Sequence, residues 1–504
     1  MGHPTVYPTG VTIYRPKAAW SGYTALPSPE GALLIDMNGR AVRLWKGLRG
    51  EPNKVLPGGF MMGSTGGRGG EGYPVDNFDL VQVDWNGNIV WKFDRNEYVS
   101  DGGEVPRWMA RQHHDYEREE ASAGHVASGS EPKTDGGNTL ILVNRDVYDP
   151  AVSAKTLLDS SIIEVDWQGD ILWRWNAVDH FDEFGFDEAA KNVIFRLPSA
   201  SVSHGGKGLW FALNSVSTLG PNRFHDCGDS RFHPDNIIIS GRNVNILAII
   251  DKKTGGIVWR LGPDYRDVPF GQVIGPHNAR LIPAGLPGAG NVLVFDSGGW
   301  AGYGVPGGLS RYGTADKRRD YSRVLEFDPL SLELVWQYTP SEAGHIEPLD
   351  SYKFYSPFAS SAQRLPNGNT LITEGCNGRV FEVTAEHETV WEYVAPQVRH
   401  GRGGLFSNRI YRACRVPYGW IPQLSVPDEV AVEPLNVSRF RVPGAPDGPG
   451  GKVTAVAGIN PHSETLIDNP FGFKITASGG EVSNFCVINS GERKVKPKTS
   501  GKEA

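Results

Sequence analysis

LLIDMNGRAVRLW, residues 33–45, is the stretch from which the architecture can be read. It consists of an apolar strand ending in Asp, a turn containing Gly, and a second apolar strand ending in Trp. Asp-x-x-Gly between two alternating apolar runs is a hairpin signal. The pattern returns, usually with the Asp and often with the Gly, as VQVDWNGNIVW (81–91), IIEVDWQGDILW (162–173), LAIIDKKTGGIVW (247–259), VLEFDPLSLELVW (324–336) and VFEVTAEHETVW (380–391). The Trp closing each copy is expected to fill the space between neighbouring sheets. Six copies, spaced roughly 45–85 residues apart, indicate a radial repeat.

Between the copies lies a second kind of strand, introduced by a Gly/Asn turn. Examples are GGNTLILVNRD (136–146), DNIIISGRN (235–243), GAGNVLVFDSGG (288–299) and LPNGNTLITEG (365–375). Each follows a further short segment: HHDYERE, ALNSVS, HNARLIP or SSAQRLP. The unit therefore has four strands, and the chain reads as an all-β, six-bladed β-propeller over residues 1–425. Helical patterns are scarce, and FDEFGFDEAAKNVIFRL (181–197) is expected to form one inserted helix. From residue 426 the repeat is lost. KVTAVAG, FKITAS and EVSNFCVI predict a small C-terminal β appendage to residue 490, and the Lys-rich end, 491–504, reads as a disordered tail.

The 63 glycines and 36 prolines among 504 residues suit a turn-rich β fold. A net charge of −7 without a basic block gives no electrostatic footprint for nucleic acid. No apolar run has the length of a membrane helix, which needs about 20 residues. The N-terminus, Met1-Gly2-His3-Pro4, lacks the pattern of an export signal. The expectation is a cytoplasmic protein, or a periplasmic or secreted one if a signal has been removed. Cys227, Cys376, Cys414 and Cys486 form no CxxC pair and are expected to be buried thiols, with one disulfide open to an exported chain.

In a propeller the innermost strand of every blade lines a central channel, so one residue per blade can converge on one point. Aligning the blade-opening segments sets His114, Ala212, His277 and Ser360 in one column. Imidazole serves as base, acid, nucleophile or metal ligand near neutral pH. Arg242, after a blade strand, offers a guanidinium fork to an anion. His113, Asn214, Arg323 and Tyr355 are candidates for contacting substrate, each with an ordinary structural role as the alternative. HDCGDSRFH (225–233) does not match zinc spacing and is expected to cover the channel mouth. GGRGGEG (66–72) lacks the Lys of a phosphate loop and reads as a plain loop. No cofactor is implied. A structural Ca²⁺ stays open, although no loop like an EF-hand is present.

HHDYERE, LNSVS followed by IIISGRN, GPHNARL followed by NVLVFDSGG, YSRVLEFD and FYSPFASSAQRLPNGNTL together resemble the blade signatures of bacterial aryl-sulfate sulfotransferases. The resemblance runs from about residue 8 to about residue 424. It implies a six-bladed propeller that moves a sulfuryl group from a phenolic sulfate ester to another phenol, in ping-pong fashion and without a nucleotide donor. By motif, His277 resembles the family's nucleophile, Arg242 the arginine that binds the sulfuryl oxygens, and His114 a supporting histidine. One departure stands out. The family carries His two residues before the Asn-Ser pair, where this chain has Ala212. Either Ala212 replaces the family's histidine by substitution, leaving an inactive mutant, or this branch lacks the group and does other chemistry. Two further readings therefore stand beside the transferase. One is a hydrolase, lyase or isomerase acting on an aromatic substrate through His114 and His277. The other is a propeller that only binds a ligand.

Overall fold

Every copy of the repeat folds as a hairpin whose turn is capped from within. Asp36 Oδ1 accepts from the backbone N–H groups of Asn38 and Arg40, both at 2.9 Å. Asp84 does the same for Asn86 and Asn88 at 2.8 Å. The left-handed residue each turn needs is Gly39, Gly87, Gly169 or Gly255 in the first four copies, where a missing Cβ removes the steric cost. Leu332 and His387 adopt it in the last two.

The Trp side chains then link the hairpins into a ring. Each indole N–H donates to a carbonyl in the next hairpin turn: Trp45 to Asp84 (3.0 Å), Trp91 to Trp167 (3.0 Å), Trp175 to Gly255 (2.9 Å), Trp259 to Pro329 (2.9 Å), Trp336 to Ala385 (3.0 Å) and Trp391 to Met37 (2.8 Å). The last bond returns to the first hairpin and closes the circle. In the third copy the donor is Trp175 rather than Trp173. The two point to the same face of the strand, and Trp175 is the buried one.

This computed structural model describes residues 9–68, 76–100, 105–129, 131–199, 207–308, 310–397, 399–400 and 406–434. They form six antiparallel blades, so the expected six-bladed propeller is the fold. Blades two to six run from the axis outward in chain order. Their inner strands are Arg49–Leu56, Gln112–Arg118, Leu213–Thr218, Pro276–Leu281 and Ser361–Arg364. The inner strand of blade one is Cys414–Val416, which returns from the far end of the propeller to pair with Tyr23–Ser28. At the other end of the chain, Gly10–Tyr14 adds a fifth, outermost strand to blade six. Among the described residues, six apolar clusters lie one between each pair of neighbouring blades.

The compact propeller unit ends at Glu433, eight residues beyond the expected boundary. Val432 pairs with Tyr14, and Glu429 accepts from Ser21 and Tyr418, tying this stretch to blade one and its neighbours. The expected appendage strands and tail lie outside the described residues.

The insertion between blades three and four forms two helical pieces where one helix was expected. A 3-10 helix, Ala177–Phe184, ends at Gly185 in the left-handed conformation (φ 67°). The α-helix Glu188–Arg196 then starts under a cap in which Asp187 Oδ1 accepts from Ala190 N–H at 2.7 Å. No helix among the described residues is long and apolar enough to cross a membrane.

The long connections share one face. The inner strands start at that face, and the described residues of the connections 177–199, 207–211, 262–275, 297–308, 310–322 and 339–360 belong to it. HDCGDSRFH sits on the other face. It joins Thr218 to Ile237, which pair at the far end of the blade, and Arg223 is held there by Asn291 Oδ1 and Asp328. It does not cover the mouth where His277 opens, contrary to expectation. The described cysteines, Cys227, Cys376 and Cys414, are free thiols; where buried thiols were expected, Cys227 is exposed and the other two are half-buried.

Candidate functional site

The inner strands depart from regular β geometry where they meet the long loops. Register shifts interrupt the pairing of Gln112–Arg118, Leu213–Thr218 and Pro276–Leu281 with their neighbours. At two of these bulges a non-glycine residue takes positive φ, His114 at 51° and Asn278 at 55°, and Ala212 does so at 53° just before the strand Leu213–Thr218. Ser360, just before the inner strand of blade six, does so at 93°. Such bulges re-aim side chains and often flank functional sites. The strand pairings set Leu213 opposite Gly241 and Pro276 opposite Asp296, so the blade-four residue in step with His277 is Asn214, and Ala212 lies two positions earlier, before the strand.

His277 is buried and bonded at both ring nitrogens. Nδ1 lies 2.9 Å from the Gly275 carbonyl and 2.9 Å from Ser297 Oγ, and Nε2 accepts from the Ala359 N–H at 3.1 Å. An acceptor at Nε2 places the ring proton on Nδ1, so the lone pair is on Nε2. Burial, and then the positive Arg242, hold the imidazole well below its usual pKa. The ring is therefore neutral at physiological pH.

Arg242 follows the second strand of blade four. Its backbone N–H donates to Ala212 O, and its Nη1 to Asn243 Oδ1 at 2.8 Å. It has no carboxylate partner among the described residues. Burial works against its charge, and the side chains of Cys376, Tyr355 and Tyr303 stand around it. A cation left without a counter-ion in a half-buried cleft is suited to an anion. With Trp300, Tyr303 and Thr314 it lines a cavity of about 150 Å³.

His114 also acts as a neutral ring. Burial, followed by Arg412 and Arg409, lowers its pKa to about 4. Its Nδ1 lies 2.9 Å from Nδ1 of His113, and Tyr411 stands edge-on to it at 5.7 Å. Tyr411 reaches into a cavity of about 360 Å³ lined by Glu51, Phe358, Ser407 and Arg409. The Tyr411 hydroxyl is buried without a hydrogen-bond partner.

The remaining candidates separate. Ala212 sits at the mouth with its carbonyl on Arg242, and it presents a methyl where an imidazole was expected. Asn214 is spent within the framework: Nδ2 donates to Pro276 O at 2.7 Å and Oδ1 accepts from Ser240 at 2.6 Å. It thereby fixes the backbone next to His277. Arg323 is also fully engaged, by Asp296 Oδ2 at 2.7 Å and the carbonyls of Phe270 and Gln272. Tyr355 lies beside Arg242, with its pKa raised by burial. His225 and His233 stack edge to face at 4.9 Å. Among the described residues no group of His, Cys, Asp or Glu is placed to hold a metal ion.

Sequence reasoning did not identify Arg409, Tyr411 and Arg412. The signal was SNRIYRACR (407–415), two basic residues flanking an aromatic one beyond the last hairpin. It also missed the centre of the channel. There Asp115 meets Lys54 at 2.8 Å, Arg412 at 3.1 Å, and Arg280. These cations drive the Asp115 carboxyl far below its usual pKa despite complete burial.

The family model described as Arylsulfotransferase (ASST) matches residues 109–398, more than half of the chain. That span contains His114, Ala212, Arg242 and His277. No curated protein matches the chain. Solved structures similar to it include a protein of unknown function from Bacteroides caccae, 12% identical with a TM-score of 0.39, covering 79% of this chain and 99% of that one. A streptogramin B lyase is 11% identical with a TM-score of 0.34, covering 82% and 96%. A catalytically inactive virginiamycin B lyase from Staphylococcus aureus is 9% identical with a TM-score of 0.29, covering 69% and 71%.

Proposed function

The chain belongs to the arylsulfotransferase family, and from that premise we propose that it transfers a sulfuryl group from a phenolic sulfate ester to a phenolic acceptor through a sulfated His277. Nε2 of His277 attacks sulfur, the sulfur–aryl oxygen bond breaks, and the phenolate departs. The acceptor oxygen then attacks the same sulfur, the nitrogen–sulfur bond breaks, and its electron pair returns to Nε2. The acceptor's proton passes to His114 and on to solvent. Arg242 stabilises the charge on the sulfuryl oxygens, where fixed donors in a dry site are most effective.

The observation that carries this reading is the neutral His277 ring, with its lone pair directed to Nε2 by the Gly275 carbonyl, beside an Arg242 that has no carboxylate partner among the described residues. The exposed rings of Phe358 and Trp300, on the rims of the two cavities, suit an aromatic substrate. For attack, Nε2 has to exchange the Ala359 N–H for the sulfur atom.

Ala212 favours a second reading. Without an imidazole there, the channel has one general acid/base fewer at the mouth, and the chemistry on an aromatic ligand is then hydrolysis, elimination, isomerisation or binding alone. The test is an assay with 4-nitrophenyl sulfate and a phenol acceptor. Acceptor-dependent nitrophenol release that rises with Ala212→His and disappears with His277→Ala supports the transferase. A folded protein that moves no sulfuryl group in any of these forms rejects it for this substrate pair.

A further inference from the structure

The two cavities at the mouth of the channel differ in charge. The one of about 150 Å³ has a single charged residue in its wall, Arg242, set among Asn243, Thr314 and the rings of Trp300 and Tyr303. No carboxylate lines it among the described residues. The one of about 360 Å³ has two charged residues, Glu51 and Arg409, which neutralise each other at 3.2 Å. The two cavities share no lining residue among those described.

Residues 357–359 touch both cavities and the reactive histidine. Arg242 Nη2 lies 3.5 Å from the Pro357 carbonyl, the Phe358 ring lines the larger cavity, and the Ala359 N–H sits on His277 Nε2 at 3.1 Å. Both cavities therefore adjoin the nitrogen that is to carry the sulfuryl group.

The larger cavity suits a neutral aromatic molecule. The Phe358 ring is 41% exposed and forms its apolar wall with Pro27, and the Arg409 guanidinium lies over that ring at 5.5 Å. Tyr411 is only 5% exposed, and its hydroxyl has no hydrogen-bond partner. Burial raises its pKa, so the hydroxyl keeps its proton and can donate. The His114 ring stands edge-on to it at 5.7 Å. A phenol laid against Phe358, with its oxygen at the Tyr411 hydroxyl, satisfies that orphaned group and adds no charge where the charges already cancel. A sulfate ester in the same place brings an anion against Glu51, whose partner Arg409 is already engaged. In the smaller cavity the opposite holds, because Arg242 has no counter-ion to compete with an anion.

We propose that the two substrates occupy separate subsites, the anionic ester at Arg242 in the smaller cavity and the neutral phenolic acceptor in the larger one, held by Tyr411 and Phe358. The roles of donor and acceptor rest on the sulfuryl-transfer reading, whereas the separation of the sites does not. The acceptor then binds without displacing the ester.

The test measures binding to the full chain. The probes are 4-nitrophenyl sulfate and 4-bromophenol, which is neutral at pH 7. His277→Ala blocks turnover, and titration calorimetry of that form gives the Kd of the ester with and without saturating 4-bromophenol. The two values are expected to agree within about twofold, as independent sites require. Tyr411→Phe and Phe358→Ala are expected to weaken 4-bromophenol about tenfold and leave the ester unchanged, whereas Arg242→Met weakens the ester about tenfold and leaves 4-bromophenol unchanged. Crystals of the unaltered protein soaked in 4-bromophenol should show an anomalous bromine peak in the cavity of Tyr411. A Kd for the ester that rises in proportion to 4-bromophenol overturns the proposal, as does a bromine peak in the Arg242 cavity or the absence of either binding event. No sulfuryl transfer in the nitrophenyl assay, with both molecules bound independently, rejects the transferase reading and leaves the two subsites standing. Transfer together with competitive binding does the reverse.

Discussion

At the rim of the ring, six hairpin turns repeat one geometry. At the mouth of the channel, the inner strands depart from regular geometry, each in its own way. Five of the rim turns are capped within four residues by their own Asp, as in Asp36 and Asp84, and the sixth by Thr384, and each neighbouring Trp ties one turn to the next. The mouth carries the bulges, the positive φ angles of His114, Ala212, Asn278 and Ser360, and the long loops. Regularity at the rim gives the ring its stability. At the mouth, the departures fall at positions that aim side chains into the channel.

If that division of labour holds, substitutions at the mouth should cost activity and substitutions at the rim should cost stability. The largest expected effect is at His277. His277→Ala should lower sulfuryl transfer from 4-nitrophenyl sulfate by about 10³-fold or more, with the unfolding midpoint little changed. An equally large loss of stability would show that His277 serves the framework.

Asp115 tests the channel between the two regions. Asp115→Ala leaves Lys54, Arg280 and Arg412 buried without their common partner. It should cost about 3–5 kcal/mol in urea unfolding.

Glu117 gives the next effect, and its sign follows from its burial. Burial pushes its pKa up to about 7 in the folded protein, from an ordinary value of 4.5. Between those values the folded state holds a proton that the unfolded chain has released. The contribution of Glu117 to stability therefore falls as pH rises from about 4.5 to about 7, and it is flat above. Glu117→Gln should remove that part of the slope, as seen by comparing unfolding of the two proteins at pH 5 and pH 8.

The smallest effect belongs to the rim. Trp391→Phe keeps an aromatic filler but leaves the Met37 carbonyl without its indole donor. It should cost about 1–2 kcal/mol and leave transfer unchanged. A loss of activity there would break the separation between rim and mouth.

The propeller was legible because its code is local. A tight turn and a closing Trp recur within about a dozen residues, with Asp in five copies and Gly in four, and each hairpin can be read without knowing its neighbours. The exception in blade three, where Trp175 replaces Trp173 as the donor, is a shift of two residues along one strand face. The histidines were legible for the same reason, since each opens an equivalent segment. Their phase was not, because a bulge adds a residue without leaving a mark in the residue types. Strand pairing puts Asn214, and not Ala212, in step with His277.

The number of blades and the order of their strands followed from periodicity, which neighbouring residues impose through turn chemistry and alternation. How the circle closes did not. Cys414–Val416 becomes the inner strand of blade one and Gly10–Tyr14 the outer strand of blade six because unpaired strand edges are costly, wherever the chain ends happen to lie. Nor did the electrostatics of the channel. Lys54, Asp115, Arg280 and Arg412 come from separate stretches of chain, and only the closed ring brings them to one axis. There burial makes each charge depend on the others, lowering the histidines, raising Glu117 and holding Asp115 ionised.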